Sequence, residues 1–262
     1  MTNEPFPADA QASAGAISIR GLSKTFGALK VLDEINCSID EAEFVSILGP
    51  SGCGKSTILR IIAGLITPDE GADIRLFGEP LARHNDDVGV VFQTHNMLPW
   101  LTVEKNIRLN CEVRGVPRGE IGRRVDEILP VLKLEGFRDK YPHQISGGMK
   151  QRAALGQTLI AQPKVLLLDE PFGALDALTR DQLNVELLRL WQKIRKTVVL
   201  ITHSISEAIF LSDRVLVMSD RPANVISDVR IDLPRPRDPK TTREDPRFGQ
   251  YVTQLSALMG VH

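Results

Sequence analysis

The sequence predicts an α/β fold with a mainly parallel sheet, an N-terminal antiparallel β-subdomain and an inserted α-helical subdomain. Three observations predict it. Strand-sized apolar runs such as Phe44–Leu48 and Val165–Leu168 alternate with helix-length segments, the pattern that builds a helix-covered parallel sheet. Ahead of them, Ile17–Ile39 reads as two β-rich runs, ISIRGLSKTFG and KVLDEINCSI, broken at Gly21 and Gly27. Between about residues 95 and 161 the texture turns helical, with only loops between the helices.

Taken in order, residues 1–15 are rich in Ala, Pro and polar types without periodicity and are expected to form a flexible tail, leaving 16–262 as one domain. After the strand Phe44–Leu48 comes a glycine-rich turn and then STILRIIAGLI, apolar on nearly every side and so a buried helix. Asp73–Phe77 and Val88–Phe92 read as strands separated by turn-rich GEPLARHNDD. The inserted lobe holds TVEKNIRLNCEV, RGEIGRRVDEILPVLKL and SGGMKQRAALGQTLIA, with Pro130 expected to kink or divide the second helix. Strands and helices then alternate as KVLLL, ALTRDQLNVELLRLWQKI, TVVLIT, SISEAIFL and DRVLVM. A C-terminal extension, about 222–262, is read as a last strand or two, the segment DLPRPRDP and a short terminal helix.

The composition bounds the partners. With 42% hydrophobic and 25% charged residues the chain can bury a sizeable core, which excludes disorder throughout. Lys and Arg (32) balance Asp and Glu (33), so no global field draws the protein to nucleic acid or anionic lipid. No uncharged apolar run is long enough to span a bilayer, and MTNEPFPADAQASAG lacks the basic start and apolar stretch of a signal peptide. A cytosolic chain is expected, touching a membrane only through a partner. Three widely spaced cysteines show no metal-ligand pattern and read as reduced thiols, with Cys53 the candidate for reactivity because it lies in the glycine-rich turn.

That turn, GPSGCGKST, matches the phosphate-loop pattern in full and sits between a predicted strand and a predicted helix. Gly49, Pro50, Ser51, Gly52, Cys53, Gly54, Lys55, Ser56 and Thr57 are therefore candidate nucleotide ligands. Backbone N–H groups converge on the phosphates where no Cβ intervenes, and the following helix points its positive end at them. Lys55 would bridge the β- and γ-phosphates, Ser56 would offer its hydroxyl to Mg2+, and Thr57 would sit near the α-phosphate. Downstream, the strand VLLL ends in Asp169 and Glu170, where an open parallel sheet places its active groups. Adjacent side chains on a strand diverge, so Asp169 is assigned to Mg2+ and Glu170 to the attacking water. Together these motifs define a P-loop ATPase core. ISGGMKQR precedes a further helix, so Ser146, Gly147 and Gly148 form a second anion-binding helix terminus that the same nucleotide does not need.

ISGGMKQR resembles the signature sequence of ABC ATPases, and the match runs from about Ile17 to beyond Asp213 with the motifs in order. The resemblance implies an ATP-sandwich dimer in which the signature of one subunit caps the ATP held by the phosphate loop of the other. It assigns Phe26 to stacking on adenine, the alternative being core packing. It assigns Gln93 to Mg2+, to the attacking water and to sensing the transporter. Ala174, Leu175 and Asp176 become the loop linking the two sites, with Asp176 near nucleotide, and His203 becomes the switch histidine at the γ-phosphate. Met149 stands where the signature usually has Gln, and Ser204 stands where Asp commonly follows the histidine.

HNMLPWLTVEKNI (residues 95–107), DEPFGALDALTR and IDLPRPRDP resemble the ATPases of nitrate, sulfonate, taurine and pyrimidine-precursor importers. The roughly 40 residues after Pro222 are too few for the regulatory barrel of sugar-importer ATPases. The resemblance implies two membrane permease subunits docking beside the Gln93 to Trp100 region, at the cytoplasmic face of the membrane, with an extracytoplasmic solute-binding protein choosing the solute. Trp100 and Met97 are candidates for the docking groove, and Met97 equally for the core. A lipid-handling or export complex is the alternative. A kinase would lack ISGGMKQR, and no guanine-selecting motif supports a GTPase.

Overall fold

The computed structural model describes residues 15–94, 96–173 and 175–260. The tail at 1–14 and Ala174 of the linking loop lie outside the described residues.

The antiparallel part comes first. Strands β1 (Ile17–Phe26) and β2 (Leu29–Ile39) pair antiparallel, and β1 also pairs with β4 (Asp73–Leu76). β4 pairs with the two-residue β5 (Glu79–Pro80) in a four-stranded sheet of order β2-β1-β4-β5. Gly21 breaks the register rather than the strand. β1 runs on through a bulge there, with Gly21 at φ 60, a conformation that costs glycine little. β5 falls inside the segment read as turn, because two residues are too few to carry an alternation.

The second sheet has the order β10-β9-β3-β8-β7-β6. β3 (Phe44–Leu48), β6 (Val88–Val91), β7 (Val165–Asp169), β8 (Thr197–Thr202) and β9 (Arg214–Met218) are parallel, and β10 (Val225–Arg230) closes one edge antiparallel to β9. Both faces are covered, as uniformly apolar strands require. Phe44, Leu48, Leu166, Leu168, Val198 and Leu200 face one core, and Val45, Ile47, Leu167, Val199 and Ile201 face the other. α1 (Lys55–Ile62) lies in the second core, between the two sheets. It ends earlier than the apolar run suggests, because Gly64 at φ 71 caps it.

The helices α2 (Val103–Val113), α3 (Arg118–Val131) and α4 (Gly147–Leu159) stand between β6 and β7 in the chain. Short 3-10 turns at Glu135–Phe137 and Pro142–Gln144 occupy the connection read as loop. Pro130 does not divide α3, which runs unbroken to Val131. It occupies the last turn, where the chain is already leaving the helix, and Leu132 caps it. α5 (Ala177–Ile194) and α6 (Ile205–Leu211) cover the first core. The extension ends in two helices instead of one, α7 (Pro239–Glu244) and α8 (Pro246–Leu258), because Asp245 caps a new start directly before Pro246. Among the described residues no helix is long and apolar enough to cross a membrane.

Candidate functional site

Parallel strands deliver their C-terminal ends to one edge. Leu48 is in register with Thr202 and Val217, Asp169 with Ile201, and Val91 with Leu168. The phosphate loop, Glu170, His203 and Gln93 therefore leave the sheet side by side.

The phosphate loop is folded as an anion cradle. Gly54 precedes α1 at φ 127 and no side chain caps the helix; the Thr57 N–H donates to the Gly54 carbonyl at 2.9 Å, and those of Lys55 and Ser56 remain for an anion. A Cβ on Gly54 would come within 2.7 Å of Leu32 Cδ2 and 2.9 Å of Val31 Cγ1. Lys55 Nζ donates to the carbonyls of Gly49 at 2.8 Å and Pro50 at 2.9 Å. Cys53 departs from its expectation. It is buried, and burial pushes its thiol up, so the reactive thiolate is disfavoured.

Ser56 Oγ donates to Asp169 Oδ1 at 2.8 Å, which joins phosphate loop and β7 through two hard oxygen donors. Asp169 is 6% exposed and burial raises its carboxyl, partly offset by the Ser56 hydrogen bond. A buried, costly carboxylate with a hydroxyl beside it suits a hard divalent cation such as Mg2+ that completes its shell with phosphate and water. Among the described residues no three His, Cys, Asp or Glu side chains cluster, so any such ion would lean on its nucleotide.

Glu170 takes φ 44, a left-handed conformation unusual outside glycine. Two hydrogen bonds hold it there: its N–H donates to Ile201 O and its carbonyl accepts from Gly173 N, each at 3.0 Å. The turn brings Glu170 Oε2 to 3.2 Å from His203 Nδ1. A Cβ on Gly173 would sit 3.3 Å from Glu170 Oε2 and 3.6 Å from Gln93 Nε2, so the three predicted catalytic side chains converge. Gln151, within ISGGMKQR, donates from Nε2 to the Gln93 carbonyl at 3.2 Å, joining the signature helix to the Gln93 segment.

Ser146 caps α4, its Oγ accepting from Met149 N at 3.3 Å. Gly147 and Gly148 pack toward Leu175 and Thr179 at the start of α5, and no hydrogen bond joins them to the phosphate loop among the described residues. Met149 packs its side chain against the core, so the departure from Gln leaves the backbone terminus intact. Asp176 caps α5, and the Thr179 N–H at 3.0 Å holds its carboxyl below the ordinary range. Ser204 caps α6 by accepting from Glu207 N at 3.3 Å, the same service an Asp would give. Phe26 is 45% exposed and so outside the core, with the Lys24 ammonium 5.3 Å over its ring. Trp100 is 69% exposed, whereas Met97 is buried in the core, the second of its two readings.

Sequence reading missed two arginine contacts. Arg221, after β9, donates from Nε to the Gly52 carbonyl. Arg180 donates to the carbonyls of Leu175 at 2.9 Å and Gly173 at 3.5 Å, holding the segment after Glu170. Arg221 lies far from Gly52 in the chain, beyond any local pattern, whereas Arg180 stands within two turns of its partners but in no motif that the sequence reading used.

Known proteins resemble this chain in sequence and fold. A family profile described as ABC transporter matches residues 32–173. An aliphatic sulfonates import ATP-binding protein of Bacillus cereus is 43% identical over 242 residues, spanning 91% of this chain and 94% of the relative. A nitrate import ATP-binding protein of Synechococcus elongatus is 40% identical over 252 residues, spanning 94% and 92%. A solved dimeric bacterial ABC transporter cassette superposes with a TM-score of 0.70 at 33% identity, covering 82% of this chain and 98% of that one. The protein cbiO1 of Clostridium perfringens, part of the ABC transporter complex cbiONQ, gives 0.78 at 24% identity, covering 94% and 96%, a likeness of fold. The chain belongs to the ABC transporter family, as an ATP-binding, ATP-hydrolysing cassette.

Proposed function

We propose that the chain powers an importer of a small anionic or related solute, such as nitrate, a sulfonate or taurine, and that it works as a homodimer with two transmembrane permease subunits at the cytoplasmic face of a membrane. The relatives named for sulfonate and nitrate import, matched over nine-tenths of the chain, support this reading. The convergence of Glu170, His203 and Gln93 beside the phosphate loop carries its chemistry. Residues 16–262 act as one cassette, with a helical subdomain at about 95–161 and an extension from about 222.

Gly49–Thr57 bind the triphosphate through backbone N–H groups, and Lys55 exchanges its loop carbonyls for phosphate oxygens. Phe26 stacks on the adenine. Ser56, Asp169 and Gln93 are the residues that would hold Mg2+, which when bound neutralises charge on the phosphates. Glu170 orients the attacking water and accepts its proton, and His203 fixes the Glu170 carboxylate while facing the γ-phosphate. Ser146, Gly147, Gly148 and Asp176 serve the partner's nucleotide, since their own phosphate loop does not meet them.

Mixing tests the shared site. Lys55→Ala and Ser146→Arg are each expected to be inactive alone, whereas a mixture puts both lesions in one composite site and restores ATPase activity at the other. A mixture that stays dead, with turnover per subunit independent of protein concentration, sinks the shared-site reading. Reconstitution with the permeases and a solute-binding protein tests the importer: sulfonate, taurine or nitrate should stimulate ATPase activity. Stimulation by lipid alone would assign the cassette to lipid handling.

A further inference from the structure

The segment IDLPRPRDP has no part in the site described so far, yet it places two guanidinium groups behind it. Arg237 is buried, and among the described residues no carboxylate stands within hydrogen-bond distance of it. Its Nη1 donates to the carbonyls of Ile209 and Phe210 at 3.0 Å each and of Ser212 at 2.8 Å, and its Nη2 lies 3.4 Å from those of Ile231 and Leu233. Burial pulls the guanidinium down to about 10, so it still carries its charge at neutral pH. Arg235 adds a bond to the Leu211 carbonyl at 2.8 Å, an ion pair to Asp213 at 2.7 Å and a stack over the Trp191 ring at 4.4 Å.

A buried cation without a counter-ion is expensive unless dipoles replace the lost water. Here those dipoles are specific. Ile209, Phe210 and Leu211 are the last residues of α6, whose carbonyls have no intrahelical donor and mark the negative end of the helix. The other end of α6 begins at Ser204, directly after His203. There Thr202 Oγ1 accepts from Ser204 N at 3.0 Å and donates to the buried Glu207 carboxylate, tying the first turn of α6 to the end of β8. A helix of seven residues is about 10 Å long and moves as a rigid piece. One end is the turn that carries His203, and the other is gripped by the extension.

We propose that Arg237 is a positioning residue for His203: the C-terminal extension sets the histidine's place in the nucleotide site through α6. The link rests on the assignment of His203 to that site. It gives the extension a catalytic consequence without any contact to nucleotide, because a shift of the helix end is delivered to the histidine turn.

The test uses the full chain and four forms: wild type, Arg237→Met, Arg237→Lys and His203→Ala. Arg237→Met is expected to lower kcat by at least about 5-fold while the KM for ATP stays within about 2-fold, the signature of a lost transition-state contact. In protein labelled with 15N-histidine, the His203 ring resonance, assigned by its loss in His203→Ala, should move in Arg237→Met while those of His84 and His143 stay in place. Arg237→Lys, which keeps the charge and three donors, should fall between. Either a wild-type kcat or an unmoved His203 resonance overturns the proposal, since a merely structural role would lower the melting temperature and leave both alone. If Arg237→Met does not fold, Arg237→Lys is judged by the same two readouts. His203→Ala turning over at the wild-type rate would sink the histidine assignment itself, whereas a dead His203→Ala with an unaffected Arg237→Met sinks only the link through α6.

Discussion

Replacing Glu170 by Gln separates catalysis from binding. The amide keeps the shape of the side chain and can still pair with His203, but it cannot take a proton from water. The side chains of the Glu170–His203 pair are 23% and 50% exposed, so the pair contributes at most about 1 kcal/mol to stability and its loss leaves the protein folded. Loss of a general base slows turnover by about 10²- to 10⁴-fold, which corresponds to about 2.7–5.4 kcal/mol on the barrier. The kinetic effect therefore exceeds the stability effect several-fold. Lys55 and the N–H groups of the loop are untouched, so ATP affinity should hold and an ATP-bound dimer should accumulate. Phosphate release gives the turnover, calorimetric titration the affinity, and size-exclusion chromatography with ATP the dimer. Turnover within 10-fold of wild type, or a fall in turnover matched by an equal fall in affinity, would refute the assignment of Glu170 to water.

Two further outcomes are expected. Lys55→Ala removes a charged donor from the triphosphate and should weaken ATP binding about 10- to 100-fold in the same titration, the equivalent of one charge-assisted hydrogen bond; unchanged affinity would remove Lys55 from the phosphate site. Asp169→Asn should stabilise the nucleotide-free protein while abolishing turnover. Burial raises the Asp169 carboxyl above its ordinary 3.8, so the ionised form strains the fold at neutral pH and the strain vanishes as pH falls below that ordinary value. The gain in melting temperature should accordingly be full near pH 7 and shrink toward pH 4, and a loss of stability at pH 7 would contradict it.

Much of the site was legible because its motifs are local and rigidly spaced. The phosphate loop and the acids ending β7 each read as a strand end followed by a turn, and the strand register brings them together without further information. α5 matches the helix read from its periodicity, Ala177–Ile194. What escaped is decided by packing in space. Whether Met97 or Trp100 faces outward depends on the curl of one loop, and the buried amide of Asn106 sets that curl. It donates to the carbonyls of Leu98, Leu101 and Thr102 and accepts from Leu98 N. Cys53 looked accessible because glycines surround it in sequence, while in space it lies against the core beneath the loop. Arg237 reads as one more surface charge until α6 supplies its carbonyls.

Lys55 finds oxygen partners within its own loop, in the carbonyls of Gly49 and Pro50. On the proposed reading, nucleotide binding swaps those carbonyls for phosphate oxygens, and the carbonyls take the ammonium back as products depart. A motor that must empty itself on every stroke gains cadence from this self-ligation, at some expense in grip.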